Sequence, residues 1–201
     1  MIIVDGCRSE QRLSNFANLE EVLANVMDDE RMDGRIVTDV LVNNESFSEI
    51  YPHQAEDMSC DSITSVEVRS QPAAELAVEM SAELGKVARM LEGGARNVAR
   101  LFREAQDADA LELLQDVLDV TRDFMGMISH LRDRYLGGID AEFMTRTQKL
   151  SDLISEMSEV MESEDWVLLA DLLEFEFGPL CEEWRVASET LHRQLEGVCR
   201  Q

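Results

Sequence analysis

One pair of residues has types and spacing that suit a metal site. Glu189 and His192 stand three residues apart, which places a carboxylate and an imidazole on the same face of a helix. Dimetal carboxylate bundles use two such pairs on facing helices. The sequence offers no second pair, because Met127 precedes His130 by three residues and His53 falls in a predicted loop. We therefore interpret the fragment as an exposed helix face and expect no metal or cofactor.

Nucleophilic and acid–base chemistry has candidates without partners. Cys181 lies near the start of a predicted helix, where the helix dipole lowers the pKa of a thiol. Glu182 and Glu183 follow it and oppose thiolate formation, so we interpret Cys181 as a core or half-exposed thiol. The acidic pair Glu174 and Glu176 has no histidine, lysine or metal motif beside it, which favours a solvated helix face. The sequence therefore predicts a protein that is not an enzyme.

Large aromatic residues near the C-terminus suit a contact with another protein. Trp166, Phe175, Phe177 and Trp184 surround a break at Pro179 in the most apolar helical stretch of the chain. Aromatic anchors carry much of the binding energy of protein interfaces, while the surrounding charges set the encounter rate. These four aromatics are the predicted partner-binding site. The alternative is that they fill the core of the helical region, because large aromatics are buried on average.

Methionine is concentrated in two neighbouring predicted helices. Flexible thioether side chains suit grooves that accept varied apolar partner helices. Most of these methionines also fall on the same stripes as Leu and Ile, which favours core packing. The residues concerned are Met125, Met127, Met144, Met157 and Met161.

The charge balance restricts the partners. The 201 residues include 42 acidic and 18 basic side chains, giving a formal net charge of −24. This surface repels phosphate backbones and anionic lipids and attracts basic segments, so we expect neither nucleic-acid nor membrane binding. Charged Asp5, Arg8 and Glu10 interrupt the apolar run that a signal peptide needs. Four widely spaced cysteines favour free thiols, so we expect a cytoplasmic protein.

The composition changes at Gln71 and Pro72, and this change predicts two domains. β-branched, turn-rich sequence precedes the boundary, and long stretches of Ala, Leu, Glu, Met and Arg follow it. We predict an α+β fold with a small domain over residues 1–71 and an antiparallel helical bundle over residues 72–201.

Strand and helix patterns alternate within the first domain. Apolar positions spaced for a helix follow Asn18, which can cap that helix. Short β-branched or alternating segments predict strands at 2–4, within 8–14, at 35–42, at 47–51 and at 63–69, with Pro52 ending the fourth.

The second domain has helical periodicity throughout. A heptad-like stripe predicts a long first helix, in which Gly93 and Gly94 mark a bend or a close helix contact. Further helices are predicted from Asp107, from Asp140 and from Asp165, and the last is either one kinked helix or two. The stripe can be buried in the bundle or across a twofold interface, and we expect a homodimer. Its members are Leu76, Met80, Leu84, Val87, Leu91, Val98 and Leu101.

The order of elements in residues 1–70 resembles the ubiquitin-like β-grasp fold. Sulfur carriers and conjugated modifiers of that fold end in a Gly-Gly tail, whereas here the last strand continues through Arg69 and Ser70 towards a helix. Carrier chemistry is therefore not implied. The segments 40–45 and 51–57 also resemble parts of uncharacterised bacterial proteins that join such a head to a helical tail, and this resemblance implies no function.

These patterns favour a non-enzymatic protein–protein interaction module, such as a bacterial adaptor, a secretion-type chaperone or a regulator. The predicted contact surface is an apolar or Met-rich helical face ringed by acidic residues, and the predicted partner is a basic or amphipathic protein segment. Two alternatives stay open. One is an enzyme or a ligand- or metal-binding bundle with a carboxylate-based site, and the other is a purely structural oligomeric module.

Overall fold

The computed structural model of the chain describes residues 1–48, 54–138 and 140–199. The chain divides into two compact units, Met1–Leu76 and Ala77–Gln201. The first contains a mixed sheet with one helix, and the second is a helical bundle. The α+β fold class is therefore confirmed.

Five strands form one sheet among the described residues. Strand β5 is central and pairs in parallel with β1 and in antiparallel fashion with β3. The outer strands are both antiparallel to their neighbours, β2 to β1 and β4 to β3. The strand order across the sheet is β2-β1-β5-β3-β4. The strands are β1 Ile2–Val4, β2 Cys7–Arg8, β3 Arg35–Val42, β4 Glu45–Phe47 and β5 Val66–Pro72.

Helix α1, Leu19–Met27, packs on the sheet, and together they form the core of the first unit. The Glu21 backbone N–H donates to the Asn18 side chain at 3.0 Å, which confirms the predicted N-cap. The apolar face of α1 packs with the inner face of the sheet, so a sheet too small to bury itself gains a continuous core. That core includes Leu19, Val22, Val26, Ile2, Val66 and Val68.

Two strand predictions were wrong in extent. The predicted second strand within 8–14 is reduced to Cys7–Arg8, and a 3₁₀ turn at Leu13–Asn15 follows it. The strand predicted at 47–51 begins earlier, because Asn43 and Asn44 both adopt positive φ and reverse the chain at once, and its described part is β4, Glu45–Phe47. Residues 49–53, which contain the predicted strand end at Pro52 and the loop histidine His53, lie outside the described residues.

The last strand also differs from its predicted bounds. Strand β5 begins at Val66 and continues to Pro72, where the chain enters the first bundle helix at Ala73. Ile63 is buried but follows a 3₁₀ turn at Cys60–Ser62 rather than lying in the strand. Its three-residue spacing from Val66 breaks the two-residue period of a strand.

Within the described residues, the second unit consists of four long helical segments. The final segment is continuous, because a π-helical turn at Leu173–Phe177 joins α5 to α6, with the Gly178 N–H donating to the Leu173 carbonyl. No helix in the described ranges is both long enough and apolar enough to cross a bilayer. The helices are α2 Ala73–Arg103, α3 Asp107–Tyr135, α4 Ala141–Glu162, α5 Trp166–Leu172 and α6 Gly178–Cys199.

Helix α2 packs its heptad-like stripe into the bundle. Leu84, Leu91 and Val98 are buried, so these positions are not left for a second copy of the chain. The helix runs unbroken through its glycines, and Gly94 makes the predicted close contact. A Cβ at Gly94 would lie 2.8 Å from Cγ2 of Val117 on α3, whereas a Cβ at Gly93 would meet nothing within 4 Å.

We predict opposite effects for alanine at these two neighbouring glycines. Gly93→Ala should raise the free energy of unfolding by about 0.5–1 kcal/mol, because alanine loses less backbone entropy in a helix. Gly94→Ala should lower it by about 1–3 kcal/mol, because the new methyl group clashes with the stiff β-branched Val117. Urea titrations followed by circular dichroism measure both changes, and equal stabilisation by the two variants would contradict the close contact.

In the first unit, Asp5 joins the β1–β2 turn to β5. Its carboxylate accepts from the Ser70 N–H and hydroxyl, both at 2.7 Å, and from the Arg35 guanidinium at 3.0 Å. The hydrogen bond from the Ser70 side chain, followed by the Ser70 N–H and Arg35, holds the pKa of Asp5 below its ordinary value of 3.8. A carboxylate whose pKa is lowered by folding stabilises the folded state fully when the pH is above its ordinary pKa. That stabilisation is lost as the pH falls towards the lowered pKa.

Asp5→Asn is therefore expected to destabilise the first unit at neutral pH, and the difference from wild type should shrink in acid. Asn tolerates the positive φ of 48° at this position, so the change removes charge without adding backbone strain. Denaturant titrations of the full chain at about pH 7 and about pH 3, followed through the Ser70 amide resonance, test this expectation. A difference that is independent of pH would show that the Asp5 charge does not matter.

Candidate functional site

Two of the four aromatics predicted as a contact surface are core residues. Trp184 on α6 is 2% exposed, and Phe177 in the π-turn is 1% exposed. The Trp184 ring meets Phe124 of α3 and Phe143 of α4 edge to face, with ring centroids 6.2 Å and 5.5 Å apart. The prediction that Trp184 and Phe177 form an exposed surface was wrong, because three helices enclose the indole.

The other two aromatics lie on α5 and in the π-turn. Trp166 is half-buried and stacks on Phe102 of α2, with ring centroids 5.2 Å apart. Arg103 bonds to Asp171 at 2.8 Å and also to Glu174, so ion pairs hold this end of α2 to the last helical segment. Of the four aromatics, only Phe175 is largely exposed, and the predicted surface is not assembled.

The clustered methionines have three different environments. Met157 is buried at 1% exposure, and Met144 is 63% exposed. Met125, Met127 and Met161 are half-buried and pack against the edge of the core. Some of these methionines therefore pack in the core and others are accessible. Of the accessible ones, Met125 on α3 lines a concave surface.

That surface is a groove between α3 and α4. It encloses about 440 Å³, and its exposed lining is mainly apolar. Leu118 and Met125 stand seven residues apart on α3, and Leu150 and Ile154 stand four apart on α4, so each pair lies on one helix face. We call this the α3–α4 groove. It is lined by Leu118, Asp119, Thr121, Arg122, Met125, Thr147, Leu150, Ser151, Ile154 and Ser155.

The charged residues in the lining of the α3–α4 groove are Asp119 and Arg122. Arg122 is the basic residue in its lining, and it is neutralised by ion pairs to Asp119 at 2.9 Å and to Asp123 at 3.4 Å. Carboxylates also stand at exposed positions of the same helices, namely Asp116 on α3 and Asp152, Glu156 and Glu159 on α4. The groove therefore has an apolar floor and a paired Asp119 and Arg122 in its lining, and it lies on a chain with a net charge of −24.

The residues with metal-like spacing have separate partners. Glu189 is bonded to Arg185, whereas Nδ1 of His192 lies 2.9 Å from the buried Ser81 hydroxyl on α2. In the described part of the chain, no group of three His, Cys, Asp or Glu residues is placed to hold a metal ion. Glu189 is thus engaged within α6, whereas His192 is engaged with α2.

The Ser81–His192 pair was not found by sequence reasoning, because its members are 111 residues apart. It resembles a nucleophile and its base, but Ser81 is 1% exposed and its hydroxyl donates to the Val78 carbonyl at 2.7 Å. Nδ1 of His192 must then be the donor to the serine oxygen. This arrangement connects α2 to α6 and leaves no free nucleophile.

Cys181 is a buried thiol, as predicted. It is 5% exposed, and burial, aided by the negative charge of Glu92, raises its pKa to about 12. A thiol with this pKa is almost entirely protonated at neutral pH and is not a nucleophile. The cysteines are unpaired, and Cys7 is the exposed one among them.

The fold defines a two-part protein with an α+β head and a helical bundle. Residues 1–71 match the family model described as domain of unknown function DUF8043, and residues 79–187 match the model described as domain of unknown function DUF8042. The second match covers more than half of the chain, so the protein belongs to the DUF8042 family. No match was found among curated proteins or among solved structures.

The placement of the aromatics predicts very different costs for two alanine variants. Trp184→Ala should lower the free energy of unfolding by about 3–5 kcal/mol, because it removes a buried ring from between three helices. Phe175→Ala should change it by less than about 0.5 kcal/mol, because its side chain is largely in solvent. Guanidinium denaturation of the two variants decides this, and similar stabilities would mean that Trp184 is not a core residue.

Proposed function

We propose that this protein is a non-enzymatic interaction module whose bundle binds a basic amphipathic helix of a partner protein in the α3–α4 groove. The observation that carries the proposal is the apolar groove of about 440 Å³ between two helices of a strongly acidic chain. An amphipathic helix in a groove buries one face through anchors at positions i, i+3, i+4 and i+7. Leu118, Met125 and Ile154 offer apolar contacts for such anchors, and the thioether of Met125 adapts to their shape.

Charge favours a basic partner over an acidic one. At a net charge of −24, the protein attracts cationic segments and speeds their encounter, while the apolar floor supplies the affinity. Lysine or arginine on the polar face of the bound helix would meet Asp119 in the lining and would be attracted by the net negative charge of the chain. This complementarity disfavours a second copy of the same acidic chain as the occupant of the groove.

We also propose that the head is a β-grasp domain in a bacterial cytoplasmic protein. The supporting observations are the strand order β2-β1-β5-β3-β4, the parallel β1–β5 pair, and helix α1 between β2 and β3. Strand β5 continues into α2 without a Gly-Gly tail, so the head serves binding rather than carrier chemistry. Unpaired cysteines are consistent with a reducing compartment.

The test uses a synthetic amphipathic helical peptide of leucine and lysine, with a peptide of the same composition but scrambled order as its control. Met125→Gln should weaken binding of the helical peptide by about five- to tenfold, because a polar amide replaces an apolar contact of similar shape. Met90→Gln is the matched control, since Met90 is 67% exposed on α2 outside the groove. Isothermal titration calorimetry measures each dissociation constant.

The α3–α4 groove is the binding site if Met125→Gln alone reduces affinity and the scrambled peptide binds weakly. Equal affinities for both variants, or equal affinities for both peptides, would contradict the proposal, because attraction to the negative charge would then explain all of the binding. Sedimentation of the free protein tests the competing occupant. A dimer that is dissociated by Met125→Gln but not by Met90→Gln would assign the groove to a second copy of the chain.

A further inference from the structure

Three exposed side chains form a row along the last helical segment, and none of them lines the α3–α4 groove. Val167 is 70% exposed and Phe175 is 65% exposed. Asp171 lies between them, and its side chain is 50% exposed. Successive members are four residues apart, which is about one helical turn. We call Val167, Asp171 and Phe175 the outer row. Because each member is accessible, a partner can contact all three.

The π-turn brings Phe175 into line with the other two members of the outer row. In an unbroken α-helix, residues eight apart are rotated by about 80° around the axis, since each residue adds about 100°. In the π-turn at Leu173–Phe177, hydrogen bonds join residues five apart rather than four, so each residue adds only about 80°. Phe175 therefore lies within about 20° of Val167 around the axis. Single π-turns of this kind are frequent at functional sites.

Contacts with α2 fix the helix that carries the outer row. Trp166 stacks on Phe102, with ring centroids 5.2 Å apart. The Arg103 guanidinium donates to Asp171 at 2.8 Å and also pairs with Glu174. A surface held in place by such contacts is preformed, so a partner does not have to order it on binding.

The charge around the outer row favours a basic partner. Residues 151–184 contain eleven carboxylates and no lysine, arginine or histidine. Arg103 supplies one positive charge to two carboxylates, Asp171 and Glu174, and Glu176 adds a further exposed one. Negative charge is therefore in excess at the row. Two copies of the chain that faced each other across it would bring like charges together, which disfavours a second copy as the occupant.

We infer that the outer row is a further docking surface, which binds a partner helix that carries an arginine or lysine between two apolar residues on one face. The apolar residues pack on Val167 and Phe175. The basic residue lies over Asp171, which accepts from Arg103 through one of its two oxygens. This pattern differs from that of the helix proposed for the α3–α4 groove, whose basic residues lie on its polar face. The two surfaces share no residue, so either proposal can fail alone.

The probe is a synthetic helical peptide of alanine and glutamine with leucine at positions i and i+7 and one arginine at i+4, on the leucine face. Its control has the same composition, but the arginine is moved to i+2, on the opposite face. Fluorescence anisotropy at about 0.15 M salt measures both affinities under conditions that screen non-specific attraction. The wild-type protein should bind the first peptide about fivefold more tightly than the control.

Variants of the protein locate the bound peptide. Phe175→Gln should weaken binding of the first peptide by about fivefold, because a polar amide replaces an exposed apolar contact. Met144→Gln is the matched control, since Met144 is 63% exposed on α4 and lies outside the outer row. Neither this variant nor Met125→Gln in the α3–α4 groove should change the affinity.

Three results would overturn the inference. The first is equal affinity for the two peptides. The second is equal affinity of the Phe175→Gln and Met144→Gln variants, and a loss of binding through Met125→Gln in that case would place the peptide in the α3–α4 groove. The third is a dimer in sedimentation that Phe175→Gln dissociates and Met144→Gln does not, because the outer row would then belong to a second copy of the chain.

Discussion

The burial of the Trp184 indole between α3, α4 and α6 is the contact on which the helical bundle depends. Its two edge-to-face neighbours, Phe124 and Phe143, come from different helices, so one side chain connects three of them. Such aromatic pairs add to the stabilisation from buried area. The same packing brings together the two helices that border the α3–α4 groove. The core contact and the proposed binding groove are therefore consequences of one arrangement.

Sequence patterns predicted the aromatics of the last helical segment as a group but could not tell which of them face outwards. The reason is the π-turn at Leu173–Phe177, which shifts the residues after it by about 100° around the helix axis relative to an unbroken helix. Phe175 and Phe177 are two residues apart and lie on opposite sides of the helix, so one is 65% exposed and the other 1%. Pro179, which has no N–H to donate, indicates an interruption but not its geometry. The Ser81–His192 pair and the α3–α4 groove depend on packing between distant segments, which no local pattern contains.

Local patterns were sufficient where short-range chemistry decides the structure. Asn18 caps α1, and the bounds of β1 and β3 agree with their β-branched segments. The predicted strand bounds were wrong at two places. Strand β4 begins earlier in the sequence than predicted, because Asn43 and Asn44 both adopt positive φ. Strand β5 extends to Pro72, because it pairs with β3. Strand ends are set by the partner strand, so a single segment cannot reveal them. The fold class and the order of elements were therefore predictable, and the site was not.

We propose that this strongly acidic bundle keeps an apolar groove accessible for a basic helix. The most direct test is an isotope-filtered NMR experiment on the protein with ¹³C-labelled methionine methyl groups, bound to the unlabelled leucine–lysine peptide. Binding in the α3–α4 groove predicts intermolecular nuclear Overhauser effects from the peptide to the Met125 methyl group and none to Met90 or Met144. Contacts to Met90 or Met144 without contacts to Met125 would contradict it, because the peptide would then lie on another surface of the bundle.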